Sequence, residues 1–312
     1  MKSMSTLVYH SGALGDFIAT IPAIQYWKTR HKNERLVLLG KSSIGEFAKD
    51  IGLIGEVLDV DGARSVPLFS DDFSSQAIEL LAQFKAAILF AAPGSPVISA
   101  IRQSGIMSIF WQPPFPSSHM HAVDYHLSLF TDPSTLPPET KQPRITPSAA
   151  SIQESFSIIP DKCFPAALHP GSGSPKKNWP FERYLSLADA FRKKGIPVMW
   201  LLGPADDDSD VPSDDIVVSN RPLALCAALL SRCRVFVGND SGMAHLAAST
   251  GCCTVALFGP SDPMVWAPLG RDVRIIYKQK DCSPCHRSPS APLSCDNGCM
   301  TDITVAEVLD AI

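Results

Sequence analysis

The feature that most constrains this chain is a rhythm repeated in both halves: a short apolar run, a loop of small residues, then apolar positions at helical spacing. Thr6 to His10 is an apolar run that stops at Ser11-Gly12-Ala13-Leu14-Gly15-Asp16. From Asp16 the apolar residues Phe17, Ile21, Ile24 and Trp27 recur every three to four positions, which predicts a helix. Pro22 falls inside that pattern and should kink the helix without ending it. Further strands are expected at Arg35 to Leu39, Val57 to Val60, Ala86 to Phe90 and Ile106 to Trp111. Strands alternating with helices predict an α/β fold with a parallel sheet covered on both faces.

A Pro-rich polar stretch from Thr131 to Ser157 interrupts the rhythm and reads as the linker between two domains, taken as residues 1–150 and 151–312. A surface loop is the plainer alternative. Beyond it the series resumes. Phe164 to His169, Val198 to Leu202, Val235 to Gly238 and Thr254 to Phe258 are expected strands. Phe181 to Lys194 (with Gly195 past its end), Pro222 to Ser231, Met243 to Thr250 and Thr304 to Ile312 are expected helices. Two parallel sheets facing each other across a linker would make a central cleft, where α/β domains bind ligands.

Composition removes several functions. Of 312 residues, 45% are hydrophobic and 19% charged, which is enough apolar material for substantial cores. A net charge of −4 does not suit a protein that neutralises nucleic-acid phosphates, so no nucleic-acid partner is expected. Apolar stretches break at Gly, Pro or charge well short of the roughly 18 residues a membrane span needs. The N-terminal residues lack the layout of a secretory signal.

Three loops stand where a strand hands over to a helix, the place at which backbone N–H groups and the helix dipole favour anions. In the first, Gly12 and Gly15 allow a tight turn and close approach to a ligand. Asp16 is there either a helix-capping carboxylate or a general base. The spacing is not G-x-G-x-x-G, which argues against a dehydrogenase or epimerase. The second, His169-Pro170-Gly171-Ser172-Gly173-Ser174-Pro175-Lys176-Lys177-Asn178-Trp179-Pro180, combines small residues with two lysines. It suits a diphosphate, or is simply a solvated basic turn, and it lacks the P-loop spacing. In the third, Gly238-Asn239-Asp240-Ser241-Gly242-Met243-Ala244-His245, a carboxylate at the helix mouth shares its surroundings with a histidine one turn on. A capping Asp and a buried His are the alternative. No G-x-S-x-G elbow supports a Ser-His-Asp hydrolase.

Taken in order, Gly12-x-x-Gly15-Asp16 with Pro22, His169-Pro170-Gly171-Ser172 with Lys177-x-Trp179-Pro180, and Asp240-Ser241-Gly242-x-x-His245-x-Ala247-Ala248 resemble glycosyltransferase family nine, the ADP-heptose:lipopolysaccharide heptosyltransferases. The resemblance implies a GT-B fold of two Rossmann-like domains, the acceptor held by the first and the nucleotide sugar by the second. It implies inversion at the sugar carbon with no metal needed for the chemistry. Asp16 then looks like the catalytic base, with Gly12 and Gly15 in the acceptor-side loop. Lys177, helped by Ser172 and Gly173, looks like the ligand of the donor diphosphate. Asp240 resembles the family carboxylate near the donor sugar, and Ser241, Gly242 and His245 match the loop that supports the phosphates. Asp206 is the candidate for the ribose; the acidic run around it fits a solvated turn better than a metal site.

The expected partners are therefore a nucleotide sugar, ADP-heptose, and a lipid-linked glycan acceptor of the lipopolysaccharide type. Such an acceptor implies a cytoplasmic protein that could work at the inner face of the inner membrane, in peripheral contact with it. Lys28, Arg30, Lys32 and Arg35 are candidates for a local basic patch, or an ordinary solvated helix end. A different nucleotide sugar on the same fold, or a sugar-nucleotide-binding protein without catalysis, remain alternatives.

Nine cysteines are present. Cys163, Cys226, Cys233, Cys252 and Cys253 lie in apolar surroundings and read as small buried hydrophobes. Cys282, Cys285, Cys295 and Cys299 crowd the loop 282–299 and could supply four thiolates to a structural Zn or Fe, with His286 as a spare ligand. Disulfides and free thiols are the alternatives.

Overall fold

The computed structural model describes residues 5–69, 74–116, 119–203, 211–285 and 295–312. Asp206 and His286 lie outside them. The chain divides into two units, Met1–Lys141 and Gln142–Ile312.

In the first unit β1 (Ser5–His10) is buried along its whole length, as a strand covered on both faces must be, which is why it reads as a continuous apolar run. It is the middle of a parallel five-stranded sheet completed by β2 (Arg35–Gly40), β3 (Glu56–Asp59), β4 (Phe84–Phe90) and β5 (Ser108–Gln112), in the order β3-β2-β1-β4-β5. Leu7 pairs with Val37 on one side and Ala87 on the other. The helix Leu14–Arg30 follows β1 and runs through Pro22 without interruption, burying Phe17, Ile18, Ile21 and Ile24. The chain leaves β1 toward β2 on one side and returns to β4 on the other. Ligands favour the crevice at the carboxyl ends of strands at such a reversal, and the Gly12–Asp16 loop is there.

The second unit holds six parallel strands: β6 (Ala166–His169), β7 (Val198–Leu202), β8 (Ile216–Ser219), β9 (Val235–Asn239), β10 (Thr254–Phe258) and β11 (Val273–Tyr277), in the order β11-β10-β9-β6-β7-β8. The reversal falls between β6 and β9. The loop carrying Lys177 leaves β6 and the loop carrying Asp240 leaves β9, so topology alone brings the two motifs side by side. Trp179, Tyr184 and Trp200 anchor the core of this unit with Leu168, Val237 and Leu257. Each such burial is worth about 1.5–3 kcal/mol. The helix Phe181–Lys193 ends before Gly195, whose φ of +70° favours glycine.

The edge strands β8 and β11 are additions to the sequence expectation. The Pro-rich stretch holds the short helices Pro138–Lys141 and Ala149–Ser155. The second of these packs against the helix Leu223–Leu230 of the second unit. Among the described residues no helix is long and apolar enough to cross a membrane.

Candidate functional site

The candidate residues form one group in each unit. In the first, Asp16 stands in the opening turn of the helix Leu14–Arg30, and its Oδ2 accepts the N–H of Ala13 at 3.2 Å. That contact satisfies a helix-end donor and also fixes one oxygen of the carboxylate. Gly15 belongs to the same helical turn. Gly12 precedes it and is confined by neighbours: a Cβ there would lie 3.1 Å from His10 Cε1 and 3.2 Å from Asp16 Oδ2. Its φ is not in the left-handed range, so the constraint at Gly12 is close approach: a side chain there would make His10 or Asp16 give by a few tenths of an ångström.

The basic residues nearby have local partners. Lys28 donates to the carbonyls of Gly52 and Leu53, Arg30 lies over the Tyr26 ring, and Arg35 pairs with Glu56 at 2.9 Å. Three of the four cations proposed for a basic patch thus serve the fold.

In the second unit Lys177 closes the short 3₁₀ turn Pro175–Lys177 and reaches Asp240, with Nζ 2.7 Å from Oδ2. Asp240 is nearly buried and Lys177 about one-third exposed, with side-chain exposures of 8% and 33%. Asp240 follows β9, and its N–H donates to Leu257 O. Ser241 then caps the helix Gly242–Ser249 in extended conformation. Its hydroxyl is buried and has no partner among the described residues. The helix opens with the N–H groups of Gly242 and Met243, while the Ala244 N–H already donates to Ser241 O at 3.1 Å. His245, half-buried, stands one turn along it, with its N–H 3.4 Å from Ser241 O. A lysine, a buried hydroxyl and a helix N-terminus therefore converge, an arrangement suited to a diphosphate.

Ser172 behaves differently from a ligand-facing group. Its Oγ lies 2.7 Å from Ser174 O and 2.6 Å from Asn178 Oδ1, and it accepts the N–H of Ser174, so it stiffens the loop. Gly173 has open space where a Cβ would be.

Asn239 is a residue the motif reading passed over. It is fully buried; its Oδ1 accepts the Trp179 N–H at 2.9 Å and the Tyr184 hydroxyl at 3.1 Å, and its Nδ2 donates to Pro170 O at 2.6 Å. One amide thus ties both ends of the lysine loop to the strand that carries Asp240. Its signal in the sequence was its place as the last residue of β9, directly before Asp240.

The expectation of a structural metal at Cys282, Cys285, Cys295 and Cys299 is not supported. Among the described residues no group of three or more His, Cys, Asp or Glu side chains is placed to hold one. All four cysteines are free thiols, with Cys299 buried and Cys295 exposed. Burial pushes the Cys299 thiol up to about 11, and the thiols of Cys285, Cys295 and Cys282 add to the shift. The described residues on either side make ordinary contacts: Cys285 N–H donates to Pro260 O, and Met300 and Cys299 press on Gly259. Of the scattered cysteines, Cys226 and Cys252 are buried, and burial raises their thiols to about 11 and about 12.

The family model of glycosyltransferase family 9 (heptosyltransferase) matches residues 73–293. The chain belongs to this family. Lipopolysaccharide heptosyltransferase 2 of Salmonella typhimurium is 32% identical over 114 residues, which cover 33% of this family 9 chain and 32% of that protein. The aligned stretch therefore spans about a third of the length of the relative. Among solved structures, a family 9 glycosyltransferase from Veillonella parvula aligns over 100% of this chain and 97% of its own, with a TM-score of 0.75 and 20% identity. ADP-heptose lps heptosyltransferase II of E. coli aligns over 99% and 97%, with a TM-score of 0.76 and 17% identity. The fold is the GT-B arrangement of two Rossmann-like domains.

Proposed function

We propose that this family 9 chain is an inverting glycosyltransferase that moves heptose from ADP-heptose onto a lipopolysaccharide-type acceptor. The observation that carries the reading is the convergence of Lys177, Asp240 and the buried Ser241 hydroxyl at the start of the helix Gly242–Ser249. Similarity to the Salmonella lipopolysaccharide heptosyltransferase supports the sugar and the acceptor class.

In this reading the diphosphate enters beside Lys177. The lysine, the Ser241 hydroxyl and the N–H groups beginning at Gly242 take up the charge that develops as the sugar leaves. Asp240 holds the lysine beforehand and then faces the donor sugar. His245 supports the same loop, and Ser172 and Gly173 shape the turn that carries Lys177. Asp16, oriented by Ala13 N–H, takes the proton from the attacking acceptor hydroxyl, with Gly12 and Gly15 keeping its approach clear. Oxygen attacks the anomeric carbon opposite the departing diphosphate, so one base suffices and configuration inverts. These residues provide for the leaving group's charge without a resident metal. A lipid-linked acceptor would place the enzyme at the cytoplasmic face of the inner membrane, in peripheral contact with it.

A transfer assay with ADP-heptose and a truncated lipid-linked acceptor tests this, run beside UDP- and GDP-sugars. The expected result is transfer from the ADP-sugar, lowered by about 10²–10⁴-fold in Asp16→Asn. Transfer from another nucleotide sugar alone would refute the donor. Unchanged transfer in Asp16→Asn would remove Asp16 as the base, and no transfer by the wild type with any donor would favour a binding role.

A further inference from the structure

The mechanism above leaves one buried polar group beside Asp16 unused. His10 ends β1 and is almost fully buried, yet its Nδ1 has no hydrogen-bond partner among the described residues. The ring is edge-on to Phe17, with centroids 5.4 Å apart, and to Phe90 at 6.4 Å. Its outer edge faces Gly12. A Cβ on Gly12 would stand 3.1 Å from His10 Cε1, 3.3 Å from His10 Nε2 and 3.2 Å from Asp16 Oδ2. Imidazole and carboxylate thus flank a single point, left open by the missing side chain.

An orphaned buried N–H is rarer than an under-used acceptor, which favours a bare lone pair at the sealed Nδ1 and the proton on Nε2, toward Gly12. Burial and the charge of Lys41 also lower the pKa of His10 to about 4, so the ring is neutral near pH 7. The charged and titratable groups around it are Lys41, Asp16 and, beyond Phe90, a second buried imidazole, His126. A cation at this place would hold the Asp16 proton off and weaken it as a base; a neutral donor orients the carboxylate with far less of that effect.

We propose that His10 is a positioning residue for Asp16: its neutral imidazole donates from Nε2 across the gap at Gly12, directly or through one water, and holds the carboxylate in the orientation a base needs. The inference rests on Asp16 being the base of the proposed reaction, and its test is arranged to stand apart from that reading.

Imidazole ¹⁵N spectra of the full chain need no turnover. The expected result is a neutral His10 protonated at Nε2 at pH 7, whose Nε2 resonance moves in Asp16→Asn. A ring protonated at Nδ1, or one indifferent to Asp16→Asn, overturns the proposal. Transfer kinetics give a second test. His10→Gln, whose amide can reach the Nε2 position, is expected to keep most of kcat. His10→Asn, whose amide mimics Nδ1, and His10→Leu should lose about ten- to a hundredfold in kcat, with KM for the nucleotide sugar unchanged. In an Asp16→Asn background His10→Leu should cost nothing further. Equal losses for the Gln and Leu variants at matched thermal midpoints, or additive losses in the double variant, contradict the proposal. A wild type that transfers nothing would end the proposed function, and the spectra would still decide whether His10 and Asp16 are coupled.

Discussion

Lys177 Nζ lies 2.7 Å from Asp240 Oδ2 although 63 positions of sequence separate them. The parallel pairing of β6 and β9 creates that contact by delivering two strand-end loops to the same place. The pair gives Lys177 a fixed position while leaving it about one-third exposed, and it keeps a nearly buried carboxylate compensated.

Replacing Lys177 by Met therefore has two consequences. Asp240 loses its partner at 8% exposure, which should cost about 1–2 kcal/mol after allowing for the partial exposure of the lysine. The diphosphate loses its cation, so thermal stabilisation by ADP should disappear. Chemical denaturation and a thermal-shift titration with ADP check the two effects separately. Retained stabilisation by ADP would remove Lys177 from the donor site.

Asn239→Ala removes the amide that accepts from the Trp179 N–H and the Tyr184 hydroxyl and donates to the Pro170 carbonyl inside the second unit. The expected loss is about 2–4 kcal/mol. Urea denaturation followed by tryptophan fluorescence measures it, since Trp179 and Trp200 are both buried in that core. A loss below about 1 kcal/mol would show that water replaces the amide without difficulty.

The first unit should be acid-sensitive. Burial lowers the pKa of His126 to about 3, with His10 and His121 adding, and that of His10 to about 4, from 6.5. The unfolded chain binds these protons near pH 6.5 and the folded chain does not. Their contribution is therefore fully present above pH 6.5 and is lost as the pH falls through the folded values. The thermal midpoint should decline from about pH 6.5 down to about pH 4, and His126→Leu should flatten that decline. An unchanged slope in the variant would contradict the assignment.

Gly12→Ala tests the crowding between His10 and Asp16. The added methyl meets contacts of 3.1–3.3 Å, so one of the two side chains must shift. Transfer should fall about tenfold or more with little change in thermal midpoint. Full activity would mean that the placement of Asp16 tolerates such a shift.

Local pattern carried much of this molecule. The run Thr6 to His10 followed by a helical period from Phe17 marked β1 and its helix, and the same reading marked β6, β7, β9 and β10, because strands buried on both faces are continuous in apolar residues. The edge strands β8 and β11 escaped it. Ile216–Ser219 is only four residues long, and Val273–Tyr277 is half-exposed and interrupted by Arg274. Asp16, Lys177 and Asp240 were marked by the motifs that follow the strands, with their roles implied by the family resemblance. Asn239 and His10 were not, since their significance depends on partners that the fold supplies: Pro170 and Trp179 for the amide, Gly12 and Phe90 for the imidazole. Cysteine spacing at 282–299 suggested a metal that no described group is arranged to hold. Spacing reports which thiols are near in sequence, not whether they point inward together.

The central claim is that the second unit binds the diphosphate of an ADP-sugar through Lys177 and the helix beginning at Gly242. Calorimetric titration of the full chain with ADP-heptose, beside UDP- and GDP-sugars, tests it most directly. Saturable binding of the ADP-sugar, at least tenfold tighter than the others (about 1.4 kcal/mol) and lost in Lys177→Met, is the predicted result. Equal binding of all three, or undiminished binding in Lys177→Met, would contradict it.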